Sequence, residues 1–305
     1  MRISTGQMWG NALSNLMQAQ VRKDEANNQV STRKVATDLG GFGRGAEVIA
    51  AYQSSLERIT GYTKIAQSVS DRLDSQNIAL ERASDGIATG KDGIMDAIAS
   101  KSLDGLTTVL QSSYMAFADG LNYKHQGTYL FGGGNETDAP LAAETLADLA
   151  TTPAASTFKN GSVKKASKID GTTTLQTGML ASDIGAEGVS VFRDLKTFID
   201  ANAPMQGKMT DAQQTALQAL ANRLNTAYSN MVDHTSLNGT FQNRVENTMK
   251  SLEGQESSLN KLISDKTDVN LAEAYTKLEQ ADLTVQAAAQ VVSNLKSVSL
   301  LDLLR

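Results

Sequence analysis

The chain has no cysteine among its 305 residues. Disulfides, thiolate metal ligands and cysteine nucleophiles are therefore excluded. Such a chain suits either a cytoplasmic protein or one exported by a route that does not depend on oxidative folding. Only three prolines occur, Pro140, Pro153 and Pro204, so neither end carries this helix breaker. Aromatics make up 5% of the residues and Trp9 is the sole tryptophan, which predicts an aliphatic, alanine-rich core of packed helices.

Histidine is equally scarce. His125 and His234 have no partners at metal-ligand spacing, and His234 reads as a buried polar register residue near Asn238. No Gly-x-Ser-x-Gly elbow is present, and Asp and Glu spread along helix faces as solvated charge does. No enzyme activity and no cofactor are expected. Basic residues number 28 against 33 acidic, a net charge of −5, which argues against nucleic acid as a partner. No apolar run approaches the ~20 residues of a membrane span, so membrane insertion is not expected. Nor does an apolar run of about 7–15 residues follow Met1-Arg2, so no secretory signal peptide is expected.

What the chain does contain is helical periodicity. From Leu271 the residues Leu271, Ala274, Leu278, Ala281, Val285, Ala288, Val292 and Leu295 follow a 3-4 spacing without a miss. They lie on one face of a helix, and a seven-residue repeat is the pattern of coiled-coil-like packing. Alanine at every second seam position before Leu295 would let a partner backbone come close. The chain then ends in Leu300, Leu301, Leu303 and Leu304, although chain ends are usually polar and poorly ordered. At the other end Trp9, Ala12, Leu16, Ala19, Ala26 and Val30 keep the same heptad, with Lys23 the one break.

A glycine-rich stretch, Leu39 to Gly45, interrupts the first helix. Gly41, Gly43 and Gly45 superficially look like a phosphate-cradling loop, but such loops follow a buried strand and here a polar helix precedes. Gly40, Gly41, Gly43 and Gly45 are read instead as a flexible joint between helical layers. A long helix over about 46–100 follows, with Tyr52, Ile59, Ala66, Leu73, Leu80, Ile87 and Ile94 seven apart. At 1.5 Å per residue it would span roughly 80 Å. A second helix is expected over about 103–124 after a break near 100–104, with Gly86, Gly90, Gly93 and Gly105 weakening both locally.

Between about 128 and 186 charge thins and Gly, Thr, Ser and Ala dominate. Asn160-Gly161 and Asp170-Gly171 are hairpin-turn dipeptides with extended candidates around Phe158, Val163 and Ile169. A short amphipathic helix is expected over 189–201, carrying Phe192, Leu195, Phe198 and Ile199. Thr210 with Gln213 makes a capping box for a long helix to about 263, and Asn270 with Glu273 does the same for the last. The expected fold is thus mainly α: long antiparallel rods or a coiled coil formed by both chain ends, with a small β-containing insert in the middle. Its layers are 1–37 with 268–305, then 38–130 with 205–267, then the insert 131–204.

Met1-Arg2-Ile3-Ser4-Thr5, Gln29-Val30-Ser31-Thr32-Arg33-Lys34, and Gly127-Thr128-Tyr129-Leu130-Phe131-Gly132-Gly133 leading to Thr137-Asp138-Ala139-Pro140 resemble bacterial hook–filament junction proteins. These are flagellin relatives, also called hook-associated protein 3. Leu283-Thr284-Val285-Gln286-Ala287 through Ser299-Leu300-Leu301-Asp302-Leu303-Leu304 is similar to the flagellin-type terminal helix. The short insert and the starting pentapeptide favour the junction type over a self-polymerising filament flagellin. A coiled-coil scaffold or surface protein would be a third use of this architecture.

The resemblance implies a structural subunit of the extracellular flagellum, exported through the flagellar type III apparatus. Implied partners are copies of itself, adjoining hook-associated and flagellin subunits, and an export chaperone on the C-terminal helix. The assembly interface would then comprise Trp9, Leu16, Val30, Leu271, Leu278, Val285, Val292, Leu295, Leu300, Leu301, Leu303 and Leu304. Leu295→Asp or Leu301→Asp is expected to abolish incorporation into the assembly while leaving the 46–263 body folded. Co-sedimentation with assembled subunits and circular dichroism check this, and unfolding of the body would place the tail in the subunit's own core.

Overall fold

The computed structural model describes residues 2–135 and 137–303, with side chains described for 6–135 and 137–295. Seven α-helices occur among them: α1 Arg2–Thr32, α2 Ala46–Ser100, α3 Leu106–Leu121, α4 Leu146–Thr151, α5 Ala181–Ala201, α6 Asp211–Thr267 and α7 Leu271–Leu303. Two antiparallel two-stranded ribbons complete the set, β1 Lys124–His125 with β2 Thr128–Tyr129, and β3 Ala166–Lys168 with β4 Thr174–Gln176. The protein is mainly α with a small β content, as the periodicity predicts. Its contacts divide into two compact units, Met1–Arg58 with Gln255–Arg305, and Ile59–Gly254.

The Ile59–Gly254 unit holds the main core. The heptad row of α2 supplies Leu80, Ile87 and Ile94, and α6 supplies Leu217, Leu224 and Met231, all fully buried. Few as they are, aromatics mark its centre. Phe192 lies 5.2 Å edge-on from Tyr114 and 5.6 Å from Phe117, a geometry favoured by the ring quadrupoles. The Tyr114 hydroxyl donates to Ala143 O at 2.6 Å, and burial pushes its pKa up. Phe131, Leu141, Leu146 and Leu149 of the 131–204 segment belong to the same core as these helices.

The glycines of α2 do not interrupt it. The helix runs unbroken past Gly86, Gly90 and Gly93, because those positions let α3 lie close. A Cβ on Gly86 would sit 2.6 Å from Phe117 N, and Ser113 Oγ donates to Gly86 O at 2.6 Å. Gly120 of α3 approaches the Ala79 carbonyl in the same way. The α2–α3 break falls where expected, with Lys101 and Gly105 at positive φ. Leu103 N donates to Gly207 O at 2.9 Å, and Asp104 Oδ1 accepts from Gly207 N at 2.8 Å. The corner is thereby tied to the loop preceding α6.

Other turns differ from the sequence reading. Asp170-Gly171 does turn β3 into β4, Asp170 Oδ1 accepting from Thr172 N at 2.7 Å. Asn160-Gly161 makes no hairpin. Asn160 Oδ1 accepts from Ser182 N at 3.1 Å, capping α5 from a distance, and Gly161 packs backbone-to-backbone on Gly133. The unexpected hairpin is β1–β2, turning through Gln126 and Gly127, both at positive φ. That is the primed-turn geometry, here without its usual Asn-Gly. The expected 189–201 helix begins at Ala181, since Asn160 satisfies its first turn. His234 is only half-buried. Asn238 takes the buried polar position alone, its Nδ2 donating to Leu73 O at 2.9 Å.

Gly86→Val is expected to destabilise this unit by about 1–3 kcal/mol, because α3 backbone cannot yield to the added methyls. Urea unfolding followed at 222 nm measures it.

Candidate assembly interface

Within the Met1–Arg58 and Gln255–Arg305 unit, α1 packs antiparallel on α7. On α1 the covered positions are Trp9, Ala12, Leu16, Ala19, Lys23, Ala26 and Val30, joined only by Gln29. On α7 they are Ala274, Leu278, Ala281, Val285, Ala288, Val292 and Leu295, joined by Asp282. Each helix thus lays its heptad seam against the other, and Ala19 and Ala274 are buried where the backbones come close. Leu271, at the start of α7, stays exposed. The side chains of Leu300, Leu301 and Leu303, and the whole of Leu304, lie outside the described residues.

Two charge pairs favour one register. Lys23, the polar break in the α1 seam, reaches Asp282 with Nζ to Oδ1 at 2.5 Å, and holds the Asp282 carboxyl below the usual range. Where the two helices meet α6 and the joint, Lys34 pairs with Asp268. Val35 N donates to Thr267 O at 2.8 Å and Val269 N to Arg33 O at 3.0 Å, a short antiparallel bridge. Lys34, Ser264 and Thr267 side chains all donate to Asp268 and hold its pKa at about 2. These pairs are roughly half exposed, and such pairs contribute only about 0–1 kcal/mol. Their value lies in choosing one alignment of two otherwise repetitive seams.

The turns on either side of this bridge are built locally. Asn270 Oδ1 accepts from Ala272 N at 3.1 Å and caps α7. Glu273 does not complete a capping box; its carboxylate pairs with Lys277 at 2.7 Å. The glycine-rich joint is a 3-10 turn over Leu39–Gly45. Asp38 Oδ1 caps it from Gly41 N at 2.8 Å. Gly43 has φ +52°, and a Cβ on Gly41 would meet Ala36 Cβ at 2.4 Å. Gly40 and Gly45 have no comparable constraint.

Pairing of the seams leaves a second apolar stripe on each helix. On α1 this is Leu13, Met17 and Val21, with Gly10 beside them, all exposed. On α7 it is Leu283, Ala287 and Val291, with Leu283 65% exposed. The spacing i, i+4, i+8 puts each set on one face away from the seam. The signal for these residues was available in the sequence. No charged residue occurs between Arg2 and Arg22, nor between Asp282 and Lys296, so the polar positions there are all uncharged.

Residues 221–304 match the bacterial flagellin C-terminal helical region. The likeness to flagellin thus covers the last part of the chain. Its fold is shared with solved hook-associated proteins. A flagellar hook-associated protein of Vibrio parahaemolyticus superposes with a TM-score of 0.62 at 15% identity, covering 76% of this chain and 99% of that one. FlgL of Bacillus cereus gives 0.57 at 16% identity, covering 70% and 99%. No curated protein sequence matches the chain. Among the described residues no cluster of three His, Asp or Glu could hold a metal ion, and no helix is long and apolar enough to cross a membrane.

The pH dependence of the terminal pair follows from Asp268 and Asp282. Both carboxyls are depressed in the folded chain, so their stabilisation is complete above the unfolded value of about 3.9. It is lost as pH falls towards about 2, where folded Asp268 takes up its proton. Acid titration of trypsin resistance or helicity should show the termini loosening over that window, and Asp268→Asn should remove the Asp268 share of the effect.

Proposed function

We propose that this protein is a non-enzymatic structural subunit of the bacterial flagellum that joins hook to filament by helical assembly through its paired terminal helices. The observation that carries the reading is the doubled apolar surface of α1 and α7. One stripe on each helix is consumed within the chain, and the other, Leu13-Met17-Val21 or Leu283-Ala287-Val291, stays exposed. Contiguous exposed apolar surface on a subunit marks an interaction site. Head-to-tail contacts between copies need not close, and so build tubes. The likeness to hook-associated folds and the flagellin C-terminal match support the same reading.

Its partners are copies of itself, neighbouring hook-associated subunits and flagellin. Before export through the flagellar type III apparatus, a chaperone covers α7, whose leucine-rich end would otherwise associate prematurely. A filament flagellin would instead self-polymerise on filament seeds, so seeding separates the two. Labelled antibody at the distal end of hooks tests the junction assignment directly, and label along the filament would overturn it.

Leu13→Lys and Leu283→Lys are each expected to raise the concentration needed for association roughly tenfold or more, from the lost burial of one leucine. Monomer helicity should be unchanged, since both side chains are exposed in the single chain. Sedimentation velocity and circular dichroism give the two readings.

A further inference from the structure

Among the described methionines, those of the core are inaccessible. Met179, Met205, Met209 and Met231 lie at 8% exposure or less. Met17 is the opposite case, 64% exposed at the middle of the α1 outer stripe between Leu13 and Val21. Its thioether is therefore open to solvent while the chain is single, and apolar burial of the same atoms is what the assembly reading requires. We infer that Met17 is a peroxide-sensitive modification site that decides whether a free subunit can still assemble; this rests on the assembly reading above.

The chemistry needs only a peroxide as oxidant. A sulfur lone pair attacks one oxygen of hydrogen peroxide, the O–O bond breaks, and water leaves after proton transfer. The sulfur is oxidised by two electrons to the sulfoxide and the peroxide is reduced. The product replaces a flexible apolar side chain by a polar, chiral one, which disrupts methionine-bearing apolar interfaces. Beside Met17 the same face of α1 carries Gly10, Leu13 and Val21, with the polar Ser14 and Gln18 next to them. Arg22 alone among the neighbouring residues carries a charge. Once a neighbour covers the stripe, the sulfur is shielded, so oxidation discriminates between free and assembled subunits.

Three other exposed methionines, Met8, Met95 and Met115, supply the internal control. Full-length protein is treated with dilute hydrogen peroxide as monomer and, separately, after association. Peptide mass spectrometry then follows each methionine, and sedimentation follows association. Met17 is expected to oxidise in the monomer with Met8, Met95 and Met115 and well before Met231, and to be protected after association. The treated wild type should need roughly tenfold more protein to associate, the worth of one buried side chain. Met17→Leu should associate normally and keep doing so after peroxide, and Met17→Gln should show the defect without it. Circular dichroism confirms that helicity is unchanged throughout. Association at an unchanged protein concentration after full Met17 oxidation, or an equal loss in treated Met17→Leu, overturns this inference alone. Absence of association by untreated protein overturns the assembly reading with it.

Discussion

Antiparallel pairing of the first and last helices is the constraint on which the rest depends. Two heptad seams made largely of alanine and medium aliphatics can slide past each other, since every seven-residue shift offers similar contacts. Lys23 with Asp282 and Lys34 with Asp268 bias the pair towards one alignment. The Lys34–Asp268 bridge also sets where α1 hands over to the glycine-rich joint and where α6 hands over to α7. Once the register is fixed, the faces turned away from the seam are fixed as well. That is what places Leu13, Met17 and Val21 on one outer surface and Leu283, Ala287 and Val291 on another.

The Ile59–Gly254 unit solves a different problem. It has to pack helix segments of more than forty residues with few aromatics, and it does so by close approach. Gly86 and Gly90 on α2 and Gly120 on α3 bring backbones together where any side chain would clash. The Tyr114, Phe117 and Phe192 cluster then fills the space where α5 joins them. Arg193 braces the irregular segment by donating to Leu149 O and Thr152 O at 2.6 and 2.8 Å. The loops are held by side chains from helices, so they need little sheet of their own.

Function on this reading comes from surface left over after folding, and it needs no catalytic group. A helix pair with a single apolar face would be satisfied as a finished hairpin. A pair with two faces each is unfinished, and the absence of charge from Ile3 to Val21 and from Leu283 to Leu295 leaves the polar positions there uncharged. The same exposure makes a thioether in the stripe chemically vulnerable until a neighbour arrives.

The repeating pattern by itself determined the helices, their seam faces and the pairing of the chain ends, because a 3-4 spacing maps onto one face whatever the surroundings. Every α1 seam residue from Trp9 to Val30 is covered, and on α7 every seam residue from Ala274 to Leu295, while Leu271 escapes. What only the tertiary structure decided depends on partners distant in sequence. Lys23 looked like a flaw until Asp282 stood opposite it, and Glu273 could have capped α7 but pairs with Lys277. Asn160-Gly161 reads as a hairpin turn, yet its amide caps α5 instead. The glycines of α2 look like weak points until α3 lies in their groove. In each case the local signal was correct about the residue's capacity, and a longer-range contact chose which capacity was used.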